Sequence, residues 1–149
     1  IASDAINQYE GVIDKFMGDA VMALYNTPLR PQADHALRAV RSAAAMISDI
    51  KAYHETISGS DRLAFGIGVH TGEAVVGNVG SPERLDYTAI GDNVNLAKRL
   101  QEVAKPMQIL LSDDTYRLVK SYVVCNELDP IQVKGRTQYT KVYELVRVQ

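Results

Sequence analysis

One segment limits the architecture more than any other. ADHALRAVRSAAAMISDIKAYHETI, residues 33–57, sets Leu37, Val40, Ala44, Ile47 and Ile50 at helical spacing, which predicts a long amphipathic helix. A helix with one apolar face has to lay that face on another layer, and much of the remaining chain reads as short strands. VIDKFMGDAVMALY, residues 12–25, holds two short apolar runs around a Gly-Asp pair, the signal of a hairpin. LAFGIGVHTGEAVVGNVGS, residues 63–81, reads as two strands joined at HTGE. RLDYTAIGDNVNLAKRLQEVA, residues 84–104, passes from strand to helix, with Asp92 as N-cap and Val94, Ala97, Leu100 and Val103 on the buried side. MQILLS is a strand, DDTYRLVKSY a short capped helix, and VVCNEL and TKVYELVRV two more strands, separated by the loop QVKGRTQ. Strands and helices mix without strict alternation, so the expected fold class is α+β, a sandwich of helices on a largely antiparallel sheet.

At 149 residues the chain fits one domain, 1–149, and 46% hydrophobic with 23% charged residues is the balance of a globular core. The net charge of -2 lacks the broad basic surface that nucleic-acid binding needs. An RNA-binding sheet would also need exposed aromatic residues, yet there are two Phe and no Trp. The single cysteine, Cys125, excludes an internal disulfide framework, reads as a half-buried strand thiol and fits a reducing cytoplasm. No run approaches the ~20 apolar residues of a membrane span, and no signal peptide is legible at the start. IASDAINQY reads as the last turns of a helix ended by Gly11, so a fragment is expected. Gly66 and Gly68 are followed by Thr71 where a dinucleotide fingerprint needs its third glycine, and by strand instead of helix. His70 has no second ligand at metal spacing and reads as a packed strand residue; His35 and His54 read as helix surface.

Four places carry chemistry. Asp19, in a tight turn between two apolar strands, offers the hard oxygen that magnesium or manganese prefers, although Gly-Asp is common in plain turns and local pattern alone favours that reading. Lys15, in a strand otherwise rich in apolar residues, has to reach water or an acceptor. Asn95 and Arg99 fall i, i+4 on one helical face and set a neutral donor and acceptor beside a fixed cation; this suits charge growing on a phosphate, or a decorated surface. Lys134, in a glycine loop, has the reach to fold over a polyphosphate, or it belongs to an ordinary turn.

In this order and at these separations, GVIDKFMGDAVMALY, RLDYTAIGDNVNLAKRL and VKGR resemble the catalytic domain of class III nucleotidyl cyclases, the adenylate and guanylate cyclases. The likeness runs from about Gly11 to the C-terminus. It implies a ferredoxin-like α/β sandwich, with Asp19 on the catalytic metals (two Mg2+ or Mn2+) and Lys15 reading the purine. An ammonium only donates, which suits N1 of adenine and disfavours guanine, so the implied substrate is ATP. Thr88 takes the second purine-reading position, as in the bacterial and soluble-type subgroup, but a hydroxyl donates as well as accepts and by itself discriminates poorly. The resemblance further implies that Asn95 and Arg99 orient the ribose and stabilise the transition state, and that Lys134 binds the triphosphate. Active sites in the family straddle a homodimer interface, so DKFMGD would serve two sites, its lysine one and its aspartate the other. GEAVVGNVGSPERLDY resembles the extended hairpin beside that interface.

The chain departs from the family in one respect. The F-x-D-I-x-G-F-T type strand with the second metal-binding aspartate is absent, and Asp4 lies in a polar helical stretch. The expectation is a catalytic domain without its first strand and part of its first helix, with any membrane attachment through missing upstream modules. The alternative is a non-catalytic regulatory dimer partner.

Overall fold

The computed structural model describes residues 1–17, 19–57, 64–81, 84–132 and 139–149; at 15–17, 79–81 and 84–87 it describes the backbone alone. The element order is α1 (Ala2–Gln8), β1 (Val12–Met17), β2 (Ala20–Leu24), α2 (His35–Thr56), β3 (Ile67–Val69), β4 (Val75–Ser81), β5 (Arg84–Ile90), α3 (Asp92–Val103), β6 (Ile109–Ser112), α4 (Asp113–Val119), β7 (Val123–Gln132) and β8 (Tyr139–Val148). A 3-10 turn, Lys120–Tyr122, joins α4 to β7.

Period-two alternation on one short strand builds both cores. All four residues of β6 are buried. Ile109 and Leu111 join Ala36, Val40, Ala43 and Ile47 of α2 and Val119 of α4 on one face of the sheet. Leu110 turns the other way, with Val142 of β8, onto Leu96 and Leu100 of α3. The four-stranded sheet runs β3-β6-β8-β7, parallel between β3 and β6 and antiparallel elsewhere. With α2 and α4 on one face and α3 on the other, this is the expected α+β sandwich. The hairpins β1/β2 and β4/β5 form separate two-stranded sheets among the described residues. β3 and β4 are consecutive at HTGE but do not pair with each other, because β3 takes β6 as its partner and β4 takes β5.

Glycine fixes how closely α3 lies on β3. A Cβ on Gly68 would stand 2.6 Å from the Ala97 carbonyl oxygen and 2.6 Å from the Gln101 nitrogen, so only a bare backbone lets the helix seat there. The start of α3 lies one residue earlier than the sequence suggests. Gly91, with φ of 134°, is the N-cap, and Asp92 opens the first turn, where its charge complements the helix dipole. Leu96, fully buried, carries the inner face of α3 together with Leu100. α1 likewise ends before Gly11: Glu10 takes the left-handed conformation, and Gly11 is small because Tyr25 and Ile6 crowd it.

Candidate active site

Strand β1 carries an irregularity that aims one side chain. Ile13 pairs with Ala23 and Lys15 with Met22, so Asp14 is the extra residue of a bulge. A bulge bends a strand and redirects its extra side chain. Asp14 meets β5, where Thr88 Oγ1 donates a 2.6 Å hydrogen bond to Asp14 Oδ2 across 74 residues of sequence. Thr88 is only 5% exposed. The second oxygen, Asp14 Oδ1, is covered and has no hydrogen-bond partner among the described residues.

Position 88 is therefore brought next to the strand that carries Lys15. The Lys15 backbone is paired in β1, while its side chain lies outside the described residues, as does all of Lys134. Asp19 stands exposed in the turn between β1 and β2. Asn95 and Arg99 lie exposed on α3, away from the buried Leu96 and Leu100, as their i, i+4 spacing predicts. Arg99 faces Glu102 across 3.8 Å, a pair exposed on both sides and worth little, so the guanidinium can leave it for a stronger anion.

His70 joins the base of α3 to the sheet. Its Nε2 lies 2.7 Å from Asn93 Oδ1 and its Nδ1 lies 2.7 Å from Ser112 Oγ. Asn93 donates its amide to the Glu73 carbonyl, which leaves Oδ1 as the acceptor and puts the proton of a neutral His70 on Nε2. The imidazole is thus a packed and bonded junction, in keeping with its reading from sequence. His54, by contrast, is half-buried, with Nε2 covered and without a hydrogen-bond partner among the described residues, which a surface reading does not anticipate.

Sequence reasoning missed Asp14. The signal was present, because the question asked of Lys15, where a charge in an apolar strand finds its partner, applies equally to the residue before it. Among the described residues no three His, Cys, Asp or Glu side chains gather to hold a metal ion. Asp19 offers one carboxylate of suitable hardness, which fits one position in a metal's shell and does not close a site. A shallow groove of about 330 Å³ lined by Tyr9, Arg41, Ala44, Ala45, Ser48 and Val148 includes none of the candidate site residues. No helix among the described residues is long and apolar enough to cross a membrane.

A family model described as the adenylate and guanylate cyclase catalytic domain matches residues 4–146. The chain belongs to the class III nucleotidyl cyclases. This cyclase domain is 37% identical over 150 residues to adenylate cyclase 1 of Rhizobium meliloti, a match covering 98% of the chain and 22% of that protein. Among solved structures it is similar to the adenylyl cyclase CyaB from P. aeruginosa, with a TM-score of 0.91 and 35% identity over 99% of this chain and 78% of that one. It is as similar to the guanylyl cyclase Cya2, with a TM-score of 0.92 and 33% identity over 99% of this chain and 76% of that one. The cyclase domain spans 7–29% of the length of the first three curated relatives it matches. Cyclases of this class generally use divalent metals. Near-equal likeness to an adenylyl and a guanylyl cyclase means that the backbone does not choose the purine; side chains have to.

Proposed function

We propose that the protein is an adenylate cyclase, converting ATP to 3′,5′-cyclic AMP and pyrophosphate in cytoplasmic signalling, as a homodimer whose active sites each draw on both chains. The observation that supports this reading is the Thr88–Asp14 hydrogen bond, which sets Thr88 against the residue adjoining Lys15, the two side chains that we assign to reading the base. Lys15 donates to N1 of adenine and Thr88 accepts from the amino group; guanine carries N–H at N1 and would call for a carboxylate in place of Lys15. Asn95 orients the ribose, Arg99 neutralises charge growing on the α-phosphate, and Lys134 holds the triphosphate.

In the reaction the ribose 3′-oxygen forms a bond to the α-phosphorus while the bond to the β-bridging oxygen breaks; pyrophosphate leaves with that electron pair, and the 3′-hydroxyl proton passes to solvent or to the departing pyrophosphate. No covalent link to the protein is required. Asp19 would supply one of the carboxylates that hold two Mg2+ or Mn2+ ions, which would lend Lewis-acid activation of the 3′-hydroxyl and neutralisation of phosphate charge. Arg99 and Asn95 project from a helix anchored on the sheet, so the groups that meet the α-phosphate and ribose are held by packing and not by a loop.

Full-length protein given ATP or GTP with magnesium or manganese is expected to form cyclic AMP. Cyclic GMP as the sole product would reassign it as a guanylate cyclase, the reading that the likeness to Cya2 favours. Nucleotide binding without either product would make it a regulatory partner. Lys15→Glu is expected to weaken ATP use, roughly tenfold or more in kcat/KM, because one donor–acceptor match becomes a mismatch.

A further inference from the structure

We propose that Asp14 sets the purine preference by taking the one proton of the Thr88 hydroxyl, so that Thr88 meets a base only as an acceptor. The inference rests on Thr88 being a base-reading residue. A free threonine hydroxyl, with one proton and two lone pairs, satisfies the amino group of adenine and the O6 of guanine equally well. At 2.6 Å from Asp14 Oδ2, which accepts in this bond, that proton is committed to the carboxyl group. The lone pairs left on Oγ1 accept from the adenine amino group and repel the guanine carbonyl.

Four features of the chain support this division of labour. Asp14 is the extra residue of the β1 bulge, which sends its side chain to β5. Thr88 is its only hydrogen-bond donor among the described residues. Thr88 is almost wholly covered, which shelters the bond from water and strengthens it. Across the β4/β5 ladder its partner is Gly77, where a Cβ would touch nothing within 4 Å, so open space lies beside Thr88 on that face. Asp14 is a positioning residue here, acting on the base through Thr88.

The test uses the full-length protein and two nucleotides without an attacking hydroxyl, 3′-deoxy-ATP and 3′-deoxy-GTP, with affinities read by titration calorimetry. The wild type is expected to prefer the adenine nucleotide. In Asp14→Leu, which keeps the branched outline at a larger volume and removes the acceptor, the affinity ratio is expected to fall roughly tenfold, the size of one donor–acceptor mismatch, chiefly through tighter binding of the guanine nucleotide. Asp14→Ala serves the same purpose should leucine overpack the site. In a Thr88→Val background the Asp14 substitution is expected to leave the ratio unchanged. A ratio within twofold of wild type in both Asp14 variants, while Thr88→Val shifts it, would overturn the proposal; so would an Asp14 effect that persists undiminished without the Thr88 hydroxyl. If Thr88→Val leaves the ratio unaltered, the base-reading assignment fails and this inference with it. Absence of cyclic nucleotide formation sinks the cyclase reading alone, since the ratio is read from binding.

Discussion

At residue scale, burial decides which groups stay quiet. Cys125 is half-buried on β7, and burial pushes its thiol above the ordinary cysteine range, so little thiolate exists at neutral pH. Native protein is expected to take up iodoacetamide at Cys125 far more slowly than urea-unfolded protein at pH 7.5, as read by intact mass. Tyr143 stacks on Tyr116 with ring centroids 3.9 Å apart and donates to Asp113 Oδ1 at 3.2 Å. Burial first, and then the negative charge of Asp113, raises its pKa. A raised phenol pKa means that the folded state favours the neutral form. That contribution is fully present below the unfolded value of about 10 and is lost as pH rises through the folded one. Urea midpoints are therefore expected to fall above about pH 10, and to fall less in Tyr143→Phe. The same scale shows where the sequence was only half read. Lys15 stands out by its length and charge among apolar neighbours, whereas Asp14 passes for an ordinary strand-edge residue until the bulge turns it toward β5.

At the scale of elements, the close seat of α3 on β3 is the most exposed to substitution. Gly68→Ala would drive a methyl into the helix backbone at 2.6 Å, and the helix has to shift. The expected loss is about 1–3 kcal/mol in chemical denaturation, typical of an overpacked core. Leu100→Ala, on the same helix and fully buried, is expected to cost about 2–5 kcal/mol through the cavity it leaves. The β1/β2 hairpin and the 22-residue α2 were legible because a Gly-Asp turn and a 3.6-residue period are local signals. The partners of β3 and β4 were not, since sequence neighbours and ladder neighbours differ there and only tertiary packing decides. The displaced N-cap of α3 has a local cause: Gly91 alone takes φ of 134° without strain, which leaves Asp92 to begin the helix.

At the scale of the whole molecule, the α+β class was readable from mixed short strands and amphipathic helices, and the family from three motifs in order. The meeting of β1 with β5 was not readable, because it joins residues 74 positions apart. If each active site draws on two chains, Asp19→Ala and Asn95→Ala chains are each expected to be inactive, while their mixture regains about a quarter of wild-type activity by random pairing into one competent site per heterodimer. Activity per chain is also expected to fall on dilution, together with the dimer fraction in sedimentation. The two ends of the nucleotide would be held by different bodies. Thr88 belongs to a hairpin with no ladder bond to the four-stranded sheet among the described residues, whereas Asn95 and Arg99 ride on a helix bolted to that sheet. Between the two stands Gly91. Its carbonyl accepts from the Val94 and Asn95 amides, so this one residue splices the end of the hairpin strand directly onto the helical turn that carries Asn95.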